Sequence, residues 1–158
     1  MGKVGIAPLT SDKFLDQDED IRFHEILAKY SNRDTLILGL LRRYGMRSGE
    51  LLAVTPNDLD RSAKTLFVRG TKGSRDRLMP LTDDFFNRLV EHADTVRLPD
   101  QRIFDLSYSR LYEIWNFYRP AKKKLHSLRH TFAIDIYRKT KKPSASPEAP
   151  WPQILSHH

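Results

Sequence analysis

Cysteine is absent from the 158 residues. Its absence excludes a disulfide framework, a thiolate zinc site, an iron–sulfur cluster and a cysteine nucleophile. No apolar run approaches the ~18 residues needed to span a bilayer. No charged-then-apolar opening marks a secretory signal. A Gly-x-Ser-x-Gly nucleophile turn does not occur, and Gly70-Thr71-Lys72-Gly73 is too short for a Walker loop. His126 and His130 stand four apart, as in a two-histidine zinc site. The glutamate of the HExxH pattern is missing, however, and Arg129 lies between them. Neither a metal nor a cofactor is expected.

Apolar residues make up 39% of the chain, enough for the core of one domain over residues 1–158. Net charge is +7 and unevenly placed. Residues 119–142 hold nine bases (Arg119, Lys122, Lys123, Lys124, Arg129, Arg138, Lys139, Lys141 and Lys142) against Asp135, a net +8. The first 24 residues lean acidic through Asp12, Asp16, Asp18, Glu19 and Asp20. A concentrated basic segment fits a polyanion-facing surface, and it also fits a solvated lysine-rich helix face.

Periodicity points to a mainly α fold with a small antiparallel β-sheet. Residues 1–10 read as an arm. Thr10, Ser11 and Asp12 can cap a short helix carrying Phe14 and Leu15. Helices follow over Asp20 to Tyr30, with Ile21, Ile26 and Leu27 inward, and over Asn32 to Tyr44, closed by Gly45 as a left-handed C-terminal residue. Ser48 can cap a short helix over Gly49 to Val54. The period then shortens to that of two strands, at Thr65–Arg69 and Arg77–Leu81, around the turn Gly70-Thr71-Lys72-Gly73-Ser74-Arg75. Thr82 and Ser107 open two more helices. Leu125, Leu128, Phe132 and Ile136 form the stripe of a last strong one. Four prolines in residues 143–152 make a loop, and Gln153 to Ser156 can start another helix.

Three motifs stand in order: Gly45-Met46-Arg47-Ser48-Gly49-Glu50-Leu51-Leu52; the basic hairpin ending Met79-Pro80-Leu81; and His126-Ser127-Leu128-Arg129-His130-Thr131-Phe132-Ala133. Read alone, His126 and Arg129 share one helical face and are equally a structural pair. Together the motifs resemble the catalytic domain of tyrosine recombinases, the phage-integrase family, over about Leu9 to Tyr137. The resemblance implies catalytic roles for Arg47, Lys72, His126 and Arg129. Gln153-x-Leu155-Ser156-His157 is similar to the family's glutamine-to-histidine box, with Ser156 in place of glycine, which makes His157 a fifth catalytic candidate. His157 and His158 also read as a histidine tag.

The resemblance implies double-stranded DNA as partner, with contacts from Arg47, Lys72, Arg75, Arg77, Lys122, Lys123, Lys124 and Arg129. It implies cleavage and rejoining through a 3′-phosphotyrosyl intermediate, with no metal or cofactor. A homotetramer on DNA is implied for the full-length protein, and a cytoplasmic, nucleoid-associated setting. Two guanidiniums suit the chemistry because their planar donor forks bridge oxygens of a charged five-coordinate phosphorus. Glu50 is expected to hold local structure or an arginine. The family's nucleophilic tyrosine follows its second histidine, which on this match falls beyond His158. Its N-terminal DNA-clamping domain has no counterpart in the match. The chain as given is therefore expected not to cleave DNA. A non-catalytic DNA-binding or regulatory fragment, and a basic helical domain for RNA or protein, are the other readings.

Overall fold

The computed structural model describes residues 12–140. The arm at 1–10, the loop at 143–152, the helix start at Gln153 and His157 lie outside the described residues.

Helix α1 (Gln17–Lys29) opens on a reciprocal cap: the Asp16 carboxylate accepts from the Glu19 backbone N–H, and the Glu19 side chain accepts from that of Asp16. Helix α2 (Arg33–Tyr44) starts the same way through Asn32 and Thr35, and residues Thr35 to Arg42 are all buried. A helix buried on every side over its middle turns belongs at the centre, and α2 packs against α1, α4 and α6. It ends at Gly45, left-handed at φ 66°.

Helix α3 (Ser48–Leu52) follows, then a single 3-10 turn at Pro56–Asp58. Strands β1 (Leu59–Asp60), β2 (Thr65–Val68) and β3 (Arg77–Pro80) form an antiparallel sheet in that order. Leu66 pairs with Met79 and Val68 with Arg77. Helices α4 (Asp83–Ala93), α5 (Tyr108–Tyr118) and α6 (Ser127–Thr140) complete the described chain. The core joins Leu36 to Leu41 of α2 with Leu66, Met79, Leu89, Phe104, Leu111, Trp115 and Leu128. Trp115 lies edge-on to Phe23 with ring centroids 5.8 Å apart, and its indole N–H donates to the Lys123 carbonyl.

The mainly α architecture with a small antiparallel sheet matches the sequence reading. Several details differ. Phe14 and Leu15 sit at the end of a turn rather than in a helix, with the Leu15 N–H bonded to Thr131 Oγ1 at 2.9 Å. In α1 it is Phe23 that is fully buried while Ile21 is 51% exposed: the two stand about 200° apart around a helix, so one face excludes the other, and Phe23 packs against Trp115. Arg47, not Ser48, occupies the cap of α3, and the Glu50 carboxylate accepts its N–H. Strand β1 was not foreseen; two residues carry no readable period. Helix α6 begins at Ser127, with buried Leu125 in the turn before it.

Candidate active site

The site is assembled where the α2–α3 turn, the β2–β3 hairpin and the start of α6 meet. Arg129 comes from the first turn of α6 and is 4% exposed. Its guanidinium donates to the carbonyl of Gly45, two residues before Arg47. Gly45 permits this close approach: its positive φ turns the chain, and a Cβ there would lie 2.2 Å from Phe132 Cδ2. Burial, then the charge of Arg47, pushes the Arg129 pKa down to about 9, while Glu50 opposes the shift. The group remains a cation at neutral pH.

Arg47 sits at the start of α3, half-buried. Its Nε is enclosed and has no hydrogen-bond partner among the described residues. An enclosed guanidinium N–H without an acceptor is costly, by about 1–3 kcal/mol or more. Two arginines held together with such a donor unspent form a ready receptor for an oxyanion.

Glu50 organises the rest. It is 1% exposed and accepts from the Arg47 N–H at 2.8 Å, from the Ser74 hydroxyl at 2.6 Å and from both terminal nitrogens of Arg77 at 2.9 and 3.0 Å. Burial opposes its charge, but the bonds from Arg77, Ser74 and the Arg47 backbone hold its carboxyl below the usual range. One carboxylate thereby ties the hairpin to the start of α3. Ser74 in turn accepts from the Thr71 N–H at 2.9 Å. The tip carries Lys72 at φ 51° and Gly73 at φ 91°, leaving Lys72 and Arg75 exposed.

His126 precedes α6 and is exposed at one edge. Partial burial of its ring, then His130, Arg129 and Arg47, push its pKa down to about 4. The imidazole is thus neutral at pH 7 and able to accept a proton when an anion neutralises its surroundings. His130 meets it edge-on at 4.7 Å between centroids.

The structure therefore brings together Arg47, Arg129 and His126, and joins the Lys72 hairpin to them through Glu50 and Ser74. Lys122 and Lys124 are exposed beside His126. Two expected DNA contacts are engaged inside the protein instead. The Arg77 guanidinium forms a bidentate pair with buried Glu50. Lys123 reaches the Phe14 carbonyl and the Glu19 carboxylate and is 11% exposed. Both long side chains turn inward because a carboxylate distant in sequence needs a cation, which local sequence does not disclose. Sequence reasoning missed Ser74 and Tyr108. A Cβ on Gly49 would lie 2.5 Å from the Tyr108 hydroxyl, so glycine there lets α5 approach α3. Among the described residues no group of three or more histidine, aspartate or glutamate side chains could hold a metal ion, and no helix is long and apolar enough to cross a membrane.

Comparison with known proteins bears on the family and the fold. The phage integrase family model matches residues 13–145. Tyrosine recombinase XerA of Saccharolobus solfataricus is 34% identical over 121 residues, covering 73% of this chain and 40% of the relative. Tyrosine recombinase XerA of Pyrococcus furiosus is 28% identical over 141 residues, covering 82% and 49%. The chain spans half or less of the length of these curated relatives. Among solved structures, XerA recombinase shares the fold at a TM-score of 0.59 with 26% identity, covering 80% of this chain and 51% of that one. XerH site-specific recombinase bound to its difH substrate before cleavage gives 0.64 with 25% identity, covering 82% and 44%. The three motifs, the charged cluster they build and a family match reaching from before α1 to past α6 lead to one assignment: the chain belongs to the phage integrase family.

Proposed function

We propose that this chain is the catalytic domain of a tyrosine-type site-specific recombinase or integrase, holding duplex DNA and activating one phosphodiester for attack by a tyrosine hydroxyl. The observation that carries it is the enclosed, unspent Arg47 Nε beside buried Arg129. Like charges are unfavourable neighbours, and the non-bridging oxygens of a phosphate remove that penalty by accepting from both forks. Charge on those oxygens grows in the five-coordinate transition state, so the grip strengthens as the reaction proceeds.

The tyrosine oxygen forms a bond to phosphorus and the bond to the 5′ oxygen breaks. The phosphate remains on the 3′ side as a phosphotyrosyl ester, and the reverse attack by a 5′ hydroxyl rejoins the strand. Lys72, on an exposed hairpin tip, is assigned to protonate the departing 5′ oxygen. His126, neutral beforehand, is assigned to bond the phosphate and move a proton. His157 is assigned as the second histidine. The attacking tyrosine belongs outside residues 12–140. Glu50, Ser74 and Arg77 are positioning residues, holding the hairpin and Arg47 in register. The XerH site-specific recombinase, which shares the fold and is bound to its difH substrate before cleavage, supports a recombination site as the partner, and duplex DNA is proposed as its chemical form. A homotetramer on DNA is proposed for the full-length protein.

The test supplies the tyrosine. The chain is extended with the C-terminal segment of the Saccharolobus solfataricus relative and incubated with nicked duplexes of random sequence. A denaturant-stable protein–DNA adduct is expected, abolished by changing the added tyrosine to phenylalanine and by Arg47→Ala. A folded, DNA-binding extension that forms no adduct would overturn the catalytic reading and leave a DNA-binding module.

A further inference from the structure

A pocket of about 390 Å³ lies against His126 and is not accounted for by the arginine pair. Lys13, Lys122 and Lys124 stand at its rim, all exposed, and His126, His130 and Ser127 line it. Its one acid is Asp12, and its remaining lysine, Lys123, is engaged with Glu19. Ser127, the first residue of α6, is 2% exposed, and its hydroxyl has no hydrogen-bond partner among the described residues. A buried hydroxyl with its proton unspent is a reason to look for an acceptor.

The surroundings decide what that acceptor is. Cations are repelled by three ammonium groups. An anion meets those ammoniums, two imidazoles and the positive end of a 14-residue helix. The pocket also shares His126 with the arginine site. An anion in the pocket and one on Arg47 and Arg129 would therefore be near neighbours, as successive phosphates of one strand are.

We propose that this pocket seats a second backbone phosphate of the DNA strand, next to the reacting one, with Lys13, Lys122 and Lys124 at its rim and Ser127 and His130 beneath. It rests on the functional reading above and adds a subsite to it. Its role is to fix the strand's register, so that the reacting phosphate arrives at the arginines already oriented. The relevant ligand chemistry is a phosphate group, which free inorganic phosphate shares.

Duplex binding by fluorescence anisotropy across a salt series separates the cases. The double variant Lys122→Ala/Lys124→Ala should lower the magnitude of the log–log salt slope by about 2, one for each lost phosphate contact. Ser127→Ala should weaken binding about three- to tenfold, the value of one hydrogen bond. It should unfold no more easily than the parent, since it removes an unpaired buried hydroxyl. Arg47→Ala should keep the pocket's contribution and lose its own. If Arg47→Ala flattens the slope while the double variant and Ser127→Ala match the parent, the subsite is overturned and the functional reading stands. If the parent shows no salt-dependent duplex binding, the functional reading fails, and the subsite with it. A parallel titration with inorganic phosphate, read on the His130 ring by NMR, distinguishes the sources. His130 signals that move with inorganic phosphate but not with duplex would make this a free-anion site and overturn its assignment to DNA.

Discussion

Glu50 is where the charge balance of the site is decided. It is the buried carboxylate beside Arg77, Arg47 and Arg129, and it spends its oxygens on the hairpin and on the cap of α3. Removing one member of a buried ion pair strands the other, at a cost of about 3–5 kcal/mol. Glu50→Ala should therefore lower unfolding free energy by about 3 kcal/mol or more in urea. Arg77→Ala should do nearly the same, and the double variant less than the sum. Independent, additive losses would contradict the hub. His126 gives a second residue-scale expectation. Its pKa is about 4 in the fold against an ordinary 6.5. Between those values the unfolded chain binds more protons, so stability is lost as pH falls through that window. His130 and His92 are shifted the same way. Below the ordinary glutamate value of 4.5 the lowered pKa of Glu50 adds a further loss. The urea midpoint should fall from pH 7 to pH 5, and His126→Asn should flatten part of that fall. An equally steep fall in the variant would contradict the assignment.

At the scale of elements the α2–α3 turn is the most constrained piece. Gly45→Ala forces a left-handed non-glycine residue and drives a methyl group into Phe132. These effects together cost about 2–4 kcal/mol, and they move the carbonyl that receives Arg129. A lowered melting temperature together with weaker duplex binding is expected, and an unchanged melting temperature would contradict the packing. Much of this level was legible in the sequence. Asn32 stands at the expected start of α2, Gly45 meets the demand for positive φ, and the hairpin follows its strand period and its Gly-Thr-Lys-Gly turn, whereas the Asp16 cap of α1 was missed. Arg47, Lys72, His126 and Arg129 were legible as motifs. What was hidden is long-range. That Arg77 and Lys123 turn inward depends on Glu50 and Glu19, which stand 27 and 104 residues away and whose burial only the packed fold reveals. Phe23 takes the core face that Ile21 was expected to hold because it meets Trp115 of α5, a contact 92 residues away.

For the whole molecule, the charge count overstates what faces solvent. Arg42 is taken up by Asp20 and Asp135, Arg69 pairs with Asp58, Arg77 with Glu50 and Lys123 with Glu19. Among the described residues, exposed cations outside these pairs stand at the hairpin tip (Lys72 and Arg75) and beside His126 (Lys13, Lys122 and Lys124), and also elsewhere on the surface at Arg22, Lys29, Arg43, Arg97, Arg138 and Lys139. Contacts to about four to six phosphates imply a log–log salt slope of about −4 to −5. The most direct test of the central claim, that Arg47 and Arg129 grip a DNA phosphate, is that slope in the parent, in Arg47→Ala and in Arg61→Ala, whose exposed pair with Asp94 lies among the residues given no role in the site. The prediction is a slope of about −4 to −5 for the parent and for Arg61→Ala, and a magnitude smaller by about 1 for Arg47→Ala with at least about tenfold weaker binding. Equal slopes and affinities for parent and Arg47→Ala would contradict it.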